Sequence, residues 1–267
     1  MRIDRLIYAD LDKIHGLQPD GWPDIVHEFS RYMAYEFCEP IKVSIGNHIV
    51  GLGSAIVFKK TAWIAHVIVD KNYRNRGVGY HIVDYLISQI NNHHIETILL
   101  IATKLGEPVY KKAGFRPVSH YVYLKREKDW RDKELSKHIQ PYQSPYYQQI
   151  IALDALISGE SREPLMQKHL DDCLVYLENQ ELKGFYLPTL GEGAIYATHP
   201  DIGVCFMELK YSIVDKAVLP SENEHGIDFL TRNGFVKTQD FGKRMVLGKN
   251  INWKPACIYS RIGGNYG

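Results

Sequence analysis

The sequence predicts an α/β (α+β) protein of two lobes, each a mixed, mostly antiparallel sheet with helices on its faces. Three observations predict it. The 267 residues are too many for one minimal domain and comfortable for two. Apolar runs of strand length alternate with stretches of helical period along both halves. One local pattern also occurs twice: Tyr110-Lys-Lys-Ala-Gly114-Phe115 and Leu230-Thr-Arg-Asn-Gly234-Phe235 each read as helix, capping glycine, buried phenylalanine, then strand.

In the first half, Met1 to Ile7 reads as a strand. Pro23 suits a first helical turn, and Ile25, Phe29, Met33 and Phe37 recur every four residues, which predicts a helix. Ile41 to Ile45 and Ile49 to Phe58 are strands, with Gly46-Asn47 as a two-residue hairpin turn. Trp63 to Val69 is nearly all apolar, as a central strand should be. The glycine-rich turn from Arg74 opens a helix with the stripe Val78, Ile82, Leu86 and Ile90. Thr97 to Ala102 is a second apolar strand. The helix Glu107 to Ala113 ends at Gly114, and Val118 to Leu124 is the last strand.

The charged run Lys125 to Lys137 mixes acids and bases and reads as a solvated helix or linker. Ser144-Pro145 then begins a helix to about Ile157. Ser161 begins another, with Leu165, His169 or Leu170, Cys173 or Leu174, and Leu177 on one face. Gly184 to Leu187 and Gly193 to Ala197 are strands, and Pro200 opens a helix. Ala217 to Leu219 is a short strand, Glu222 to Asn233 a helix, and Arg244 to Leu247 and Ala256 to Tyr259 close the chain as strands. The expected domains are 1–126 and 144–267, joined by a charged linker at 127–143.

Composition excludes several classes. The net charge of +1 gives no field for nucleic acid or an anionic membrane. No apolar run approaches the length that spans a bilayer. The four cysteines, Cys38, Cys173, Cys205 and Cys257, have neither metal-ligand nor redox spacing, and no His-x-x-x-His pair stands near a Glu, so no metal is expected. Reduced thiols and the absence of a signal-like start at Met1 favour a cytoplasmic setting.

The residues that carry chemistry lie between Trp63 and Phe115. The loop Arg74-Asn75-Arg76-Gly77-Val78-Gly79-Tyr80 joins a strand to a helix N-terminus, where free amide groups and the helix dipole favour an anion. Gly77 and Gly79 remove side chains where a diphosphate would approach the backbone. Arg74 and Arg76 stand at the rim. There is no P-loop, and the turn lacks the first glycine of a dinucleotide fold.

The stretch Val67-Ile68-Val69 through Tyr80, followed by Ile101-Ala-Thr-Lys-Leu-Gly-Glu-Pro-Val-Tyr110-Lys-Lys-Ala-Gly-Phe115, resembles the GNAT superfamily of acetyltransferases. The likeness covers roughly the first half of the chain. Asp154 with Gly159 and Arg162, Pro220 with Asn223, Gly234-Phe235, and Arg244-Met245-x-x-Gly248 resemble the C-terminal acetyltransferase-like domain of the two-domain YitH-like type. The resemblance implies acetyl-CoA as co-substrate, its diphosphate on residues 74–80 and its arm between two splayed strands at Val67 to Val69 and Leu99 to Ala102. It implies main-chain contacts at Val67 and Val69, an arm contact at Thr103, and Tyr110 as the acid that protonates the departing thiolate.

Thr103 stands where many members have Asn. Trp63 and Ala65 stand where many have an acidic or histidine base. His66 is expected to face the other side of the sheet, as a core histidine with satisfied nitrogens. Trp63 and His66 are nevertheless the candidates for contact with the acceptor. In the second half Leu230 replaces Tyr110 and the turn Ala197-Thr-His-Pro200 has no glycine pair, so no second acetyl-CoA site is expected. The implied activity is acetyl transfer to a primary amine of a small molecule or peptide, by a monomer or homodimer. A non-catalytic acetyl-CoA-binding or sensing module is the alternative.

Overall fold

The computed structural model describes residues 1–128 and 136–267. Its strands and helices begin with β1 (Arg2–Arg5), α1 (Ile25–Ala34), β2 (Cys38–Ile45), β3 (His48–Val57), β4 (Thr61–Val69), α2 (Val78–Ile90), β5 (Thr97–Ala102), α3 (Glu107–Lys112) and β6 (Arg116–Arg126). They continue with β7 (Ile139–Pro141), α4 (Tyr147–Ser158), α5 (Glu163–Met166), β8 (Leu174–Glu178), β9 (Glu181–Leu187) and β10 (Ala194–Ala197). The last are α6 (Pro200–Ile213), β11 (Lys216–Pro220), α7 (Glu224–Arg232), β12 (Phe235–Lys237), β13 (Gly242–Gly248) and β14 (Ile258–Ser260). The contacts divide the chain into two compact units. The first holds residues 1–117, 245–249 and Tyr266, and the second holds 118–244, 250–265 and 267.

In the first unit the strand order is β1-β2-β3-β4-β5-β13. β1 to β4 are antiparallel neighbours, and β4 and β5 are parallel. The β2–β3 hairpin closes with Ile45 opposite His48, around Gly46-Asn47. The helical stripe Val78, Ile82, Leu86 and Ile90 is at most 3% exposed and packs on β3, β4 and β5. α2 lies close against β3 because Gly53 presents no side chain; a Cβ there would stand 2.7 Å from Ile82 Cγ2. Residues 245–249 join this unit from far along the chain. Thr97 Oγ1 donates to Lys249 O at 2.8 Å across 152 residues of sequence, and Lys249 N–H donates to Glu96 O at 3.0 Å. Tyr266 is also buried in this unit, where its hydroxyl pairs with the Cys38 thiol.

In the second unit β6 pairs antiparallel with β11 and with β12. A five-stranded sheet has the order β14-β10-β9-β8-β7. Strand β7 falls within the stretch read as a linker, and residues 129–135 of the charged run lie outside the described residues. A buried ion network underlies this unit. Arg162, 2% exposed, donates to Asp154 Oδ1 at 2.6 Å and to Tyr196 OH at 2.9 Å, and Arg244 lies on the Trp253 ring at 4.2 Å. Most of the residues that carry the second resemblance therefore hold the interior together: Asn223 caps α7 and donates to Ile258 O at 2.8 Å.

Three expectations about elements are corrected. Phe37 is not on the α1 stripe, because the helix ends at Ala34 and Tyr35 is extended; Phe37 stacks on Tyr35 and leads into β2. The helix from Ser161 to Leu177 does not form. It is a four-residue helix, a 3-10 turn and then β8, which pairs with β9 around Asn179 and Gln180. Both turn residues have positive φ, 51° and 65°, so this is a primed hairpin turn made without glycine, and its sequence signal is weak. Cys173 accordingly sits ahead of a strand, buried at 1% exposure, rather than on a helix.

Candidate active site

The site is built where β4 hands over to α2. Asn75 has φ 61° and Gly77 has φ 82°, so the loop doubles back twice before the helix. Gly77 is the helix cap, and no side chain caps the amides that follow it. The first helical bond runs from His81 N–H to Gly77 O at 3.0 Å, which leaves the amides of Val78, Gly79 and Tyr80 for an outside acceptor. Among the described residues there is room at both glycines: a Cβ on Gly77 would meet only His81, at 3.8 Å, and one on Gly79 only Val69, at 3.6 Å. The concave, amide-lined turn fits an anionic group. Arg76 is exposed and lies over the Tyr73 ring at 5.4 Å. Arg74 turns back, its Nε donating to Val69 O at 3.2 Å. That places Arg74 on a strand carbonyl rather than at the rim.

The two central strands part early. β4 and β5 pair only at Thr61↔Thr97, Ala62↔Ile98 and Trp63↔Leu99. β4 runs on to Val69 and β5 to Ala102 without pairing, so a seam opens between them. Asp70 N–H is bonded to Val50 O on β3. Strand amides alternate in direction, so Val69 turns its own to the opposite edge, into the seam, while Ile68 faces β3. The Val67 and Val69 side chains pack on the α2 side of the sheet.

Tyr110 stands on α3 in the same core as Ala62, Ile64 and Ala102. It is 8% exposed, its ring meets Phe115 edge-on, and among the described residues its hydroxyl has no hydrogen-bond partner. Burial pushes the phenol well above its ordinary range, so it stays protonated. Gly106 makes room for it: a Cβ there would stand 2.8 Å from Tyr110 Cε2. Thr103 serves the turn that starts α3, its Oγ1 accepting from Gly106 N–H at 3.2 Å, so its hydroxyl is already engaged as an acceptor.

The expected direction of His66 is corrected. Along β4 the register against β3 slips: Leu52 pairs with Ile68 but Ser54 pairs with Ala65. His66 and Val67 therefore oppose the single residue Gly53, a β-bulge, and His66 has φ 49°. The extra residue reverses the alternation, and His66 turns to the α1 face, against Trp22, Phe29 and Tyr32. Its Nδ1 lies 2.6 Å from Tyr32 OH. Only one ring nitrogen is satisfied, since Nε2 has no hydrogen bond to the described residues. Burial alone lowers its pKa to about 4. Trp63 is fully buried and has no surface to offer a ligand. Sequence reasoning overlooked Trp22, Tyr32, Gly53 and Gly106, which gain meaning only from neighbours remote in sequence. Among the described residues no group of His, Cys, Asp and Glu is arranged to hold a metal, and no helix is long and apolar enough to cross a membrane.

Residues 22–126 match the family described as acetyltransferase (GNAT) domain. The chain is 26% identical over 188 residues to the uncharacterized N-acetyltransferase YitH of Bacillus subtilis (strain 168). That alignment covers 65% of this chain and 64% of the relative, so the match spans less than two thirds of the relative's length. Its fold is similar to the crystal structure of a candidate acetyltransferase from Pyrococcus horikoshii, at TM-score 0.85 and 18% identity, covering 100% of this chain and 95% of that one. A GCN5-related N-acetyltransferase from Sphaerobacter thermophilus matches at TM-score 0.66 and 13% identity, over 96% of this chain and 98% of that one. These likenesses bear on the fold of the whole chain, and the family match on residues 22–126.

Proposed function

We propose, from the premise that residues 22–126 form a GNAT acetyltransferase domain, that the chain moves an acetyl group from acetyl-CoA to a primary amine by direct attack. The observation that carries this reading is the meeting of an unfilled, amide-lined turn at 74–80 with a seam that opens after Trp63↔Leu99. A diphosphate in the turn would lie over the α2 N-terminus, and a pantetheine arm in the seam would meet the main chain of Val67 and Val69. Bringing both substrates into one geometry supplies much of the rate. The amine nitrogen forms its bond to the carbonyl carbon as the carbon–sulfur bond breaks, and the sulfur leaves with the electron pair. The Tyr110 hydroxyl, kept protonated by burial and without a hydrogen-bond partner among the described residues, gives its proton to that sulfur. The proton shed by the new amide nitrogen returns through solvent to the phenolate.

Calorimetry with acetyl-CoA and thiol release across a panel of amines test this reading together. One acetyl-CoA should bind per chain, and thiol should appear only when an accepted amine is present. Absence of acetyl-CoA binding removes the reading.

A further inference from the structure

The acceptor side of the seam has no assigned chemistry, and the geometry around His66 supplies one. This inference rests on the acyl-transfer reading above. The bulge at His66 and Val67 places two consecutive residues on different tasks. The Val67 side chain packs on the α2 side, and His66 turns its ring to the α1 face, three residues beyond the last β4–β5 pair. There the imidazole is framed by Trp22, Phe29 and Tyr32, with ring centroids at 5.6, 5.9 and 5.5 Å, all edge-on. Phe29 and Tyr32 are fully buried, whereas Trp22 is 38% exposed and forms the outer wall. Tyr32 OH fixes one ring nitrogen at 2.6 Å, and among the described residues the other has no hydrogen-bond partner.

We propose that His66 Nε2, within the Trp22, Phe29 and Tyr32 frame, receives the acceptor amine, and that the site takes an α-amine of low basicity, of an amino acid derivative or a peptide terminus, in preference to an alkylammonium such as a lysine side chain.

Charge decides which amine can enter. The side chains that frame the imidazole, Trp22, Phe29 and Tyr32, are all neutral, and burial lowers the His66 pKa. Trp63 and Ala65, where a carboxylate would compensate an ammonium, are apolar and buried. A cation entering this frame would lose its hydration without a counter-charge. An amine must therefore enter neutral. At pH 7.5 about a third of an α-amine of pKa ~7.8 is neutral, against about 0.1% of a lysine amine of pKa ~10.4. Imidazole Nε2 then accepts a hydrogen bond from the neutral amine and aligns its lone pair on the seam. Tyr32 is the positioning residue that holds the ring.

The test measures thiol release by the full chain with saturating acetyl-CoA and three amines: alanine amide, a tripeptide that begins with alanine, and Nα-acetyl-lysine amide. The two α-amines should exceed the ε-amine in kcat/KM by about 200-fold at pH 7.5, and the ratio should fall by about tenfold per pH unit as pH rises above 8.5. Whichever α-amine is faster identifies the source as free or peptide-borne. His66→Asn, which tolerates the left-handed backbone, should lower kcat/KM for the α-amines by about 100-fold while the acetyl-CoA KM stays fixed. Trp22→Ala, at an exposed position, should raise the KM of the better α-amine by about tenfold and leave kcat near its original value. Equal or faster turnover of the ε-amine at pH 7.5 overturns the proposal, as does turnover of none of the three by protein that binds acetyl-CoA. Loss of acetyl-CoA binding itself would instead count against the underlying acyl-transfer reading.

Discussion

The two units handle the same seam in opposite ways. In the first, β4 leads through α2 to β5, and the two strands pair for three residues and then part. In the second, β10 leads through α6 to β11, but β10 and β11 are not paired at all. The edge of β10 that would face the seam is taken by β14, antiparallel, with Ile195 opposite Ser260 and Tyr196 opposite Ile258. Arg261 N–H reaches Val218 O of β11 at 3.4 Å. The chain's own segment from Ile258 to Arg261 thus lies where the first unit keeps an opening.

That segment is held by charge. Lys210 Nζ, 3% exposed, donates to Ser260 Oγ at 2.5 Å and to Gly193 O at 3.0 Å, and Arg261 binds Glu192 at 2.6 Å and Tyr123 OH at 3.2 Å. The turn ahead of α6 also lacks the glycines of 77 and 79, its cap being His199. One fold element can therefore be a ligand slot or a packed interior. What decides is whether the chain supplies its own strand to satisfy the exposed amides.

The largest expected effect is on the chemistry that only the first seam carries. Tyr110→Phe should lower kcat by about 100- to 1,000-fold in the thiol-release assay, with acetyl-CoA affinity unchanged by calorimetry. An unchanged kcat would erase the functional difference between Tyr110 and its second-unit counterpart Leu230. Next, Gly77→Glu puts a carboxylate and a side chain into the anion turn, and acetyl-CoA affinity should fall by about 100-fold. The matching change at the other turn, exposed His199→Glu, should leave it unaltered.

Stability sharpens the contrast further. Lys210→Met strands the carbonyls and hydroxyl that hold β14, and urea unfolding should show a loss of about 3 kcal/mol. A variant of native stability would mean that β14 is only loosely seated. His66 gives a pH signature in the first unit. Its folded pKa of about 4 lies below its ordinary 6.5, so the unfolded chain binds more protons between those values. The stability it confers is complete above pH 6.5 and is lost as pH falls toward 4, by about 2–3 kcal/mol, and His66→Asn should flatten that slope. The smallest expected effect is at Gly106→Ala, whose Cβ would press on the Tyr110 ring. Displacing the phenol should slow turnover by about tenfold and shift the unfolding midpoint by no more than about 1 kcal/mol.

The sequence alone determined what depends on near neighbours. The strand, the glycine turn and the helix stripe from Trp63 to Ile90 are contiguous, and periodicity with backbone permissiveness is enough to read them. Tyr110 with Gly114-Phe115 is local in the same way. Tertiary structure decided what depends on register and on partners far along the chain. The direction of His66 follows from a one-residue slip against Gly53, which no local pattern encodes, because a slip of one residue reverses every side chain beyond it. The closing of the second seam by β14, and the joining of residues 245–249 to β5 across 152 positions, are choices among unpaired strand edges. Such an edge is satisfied by whichever segment the whole fold brings to it, and composition does not say which.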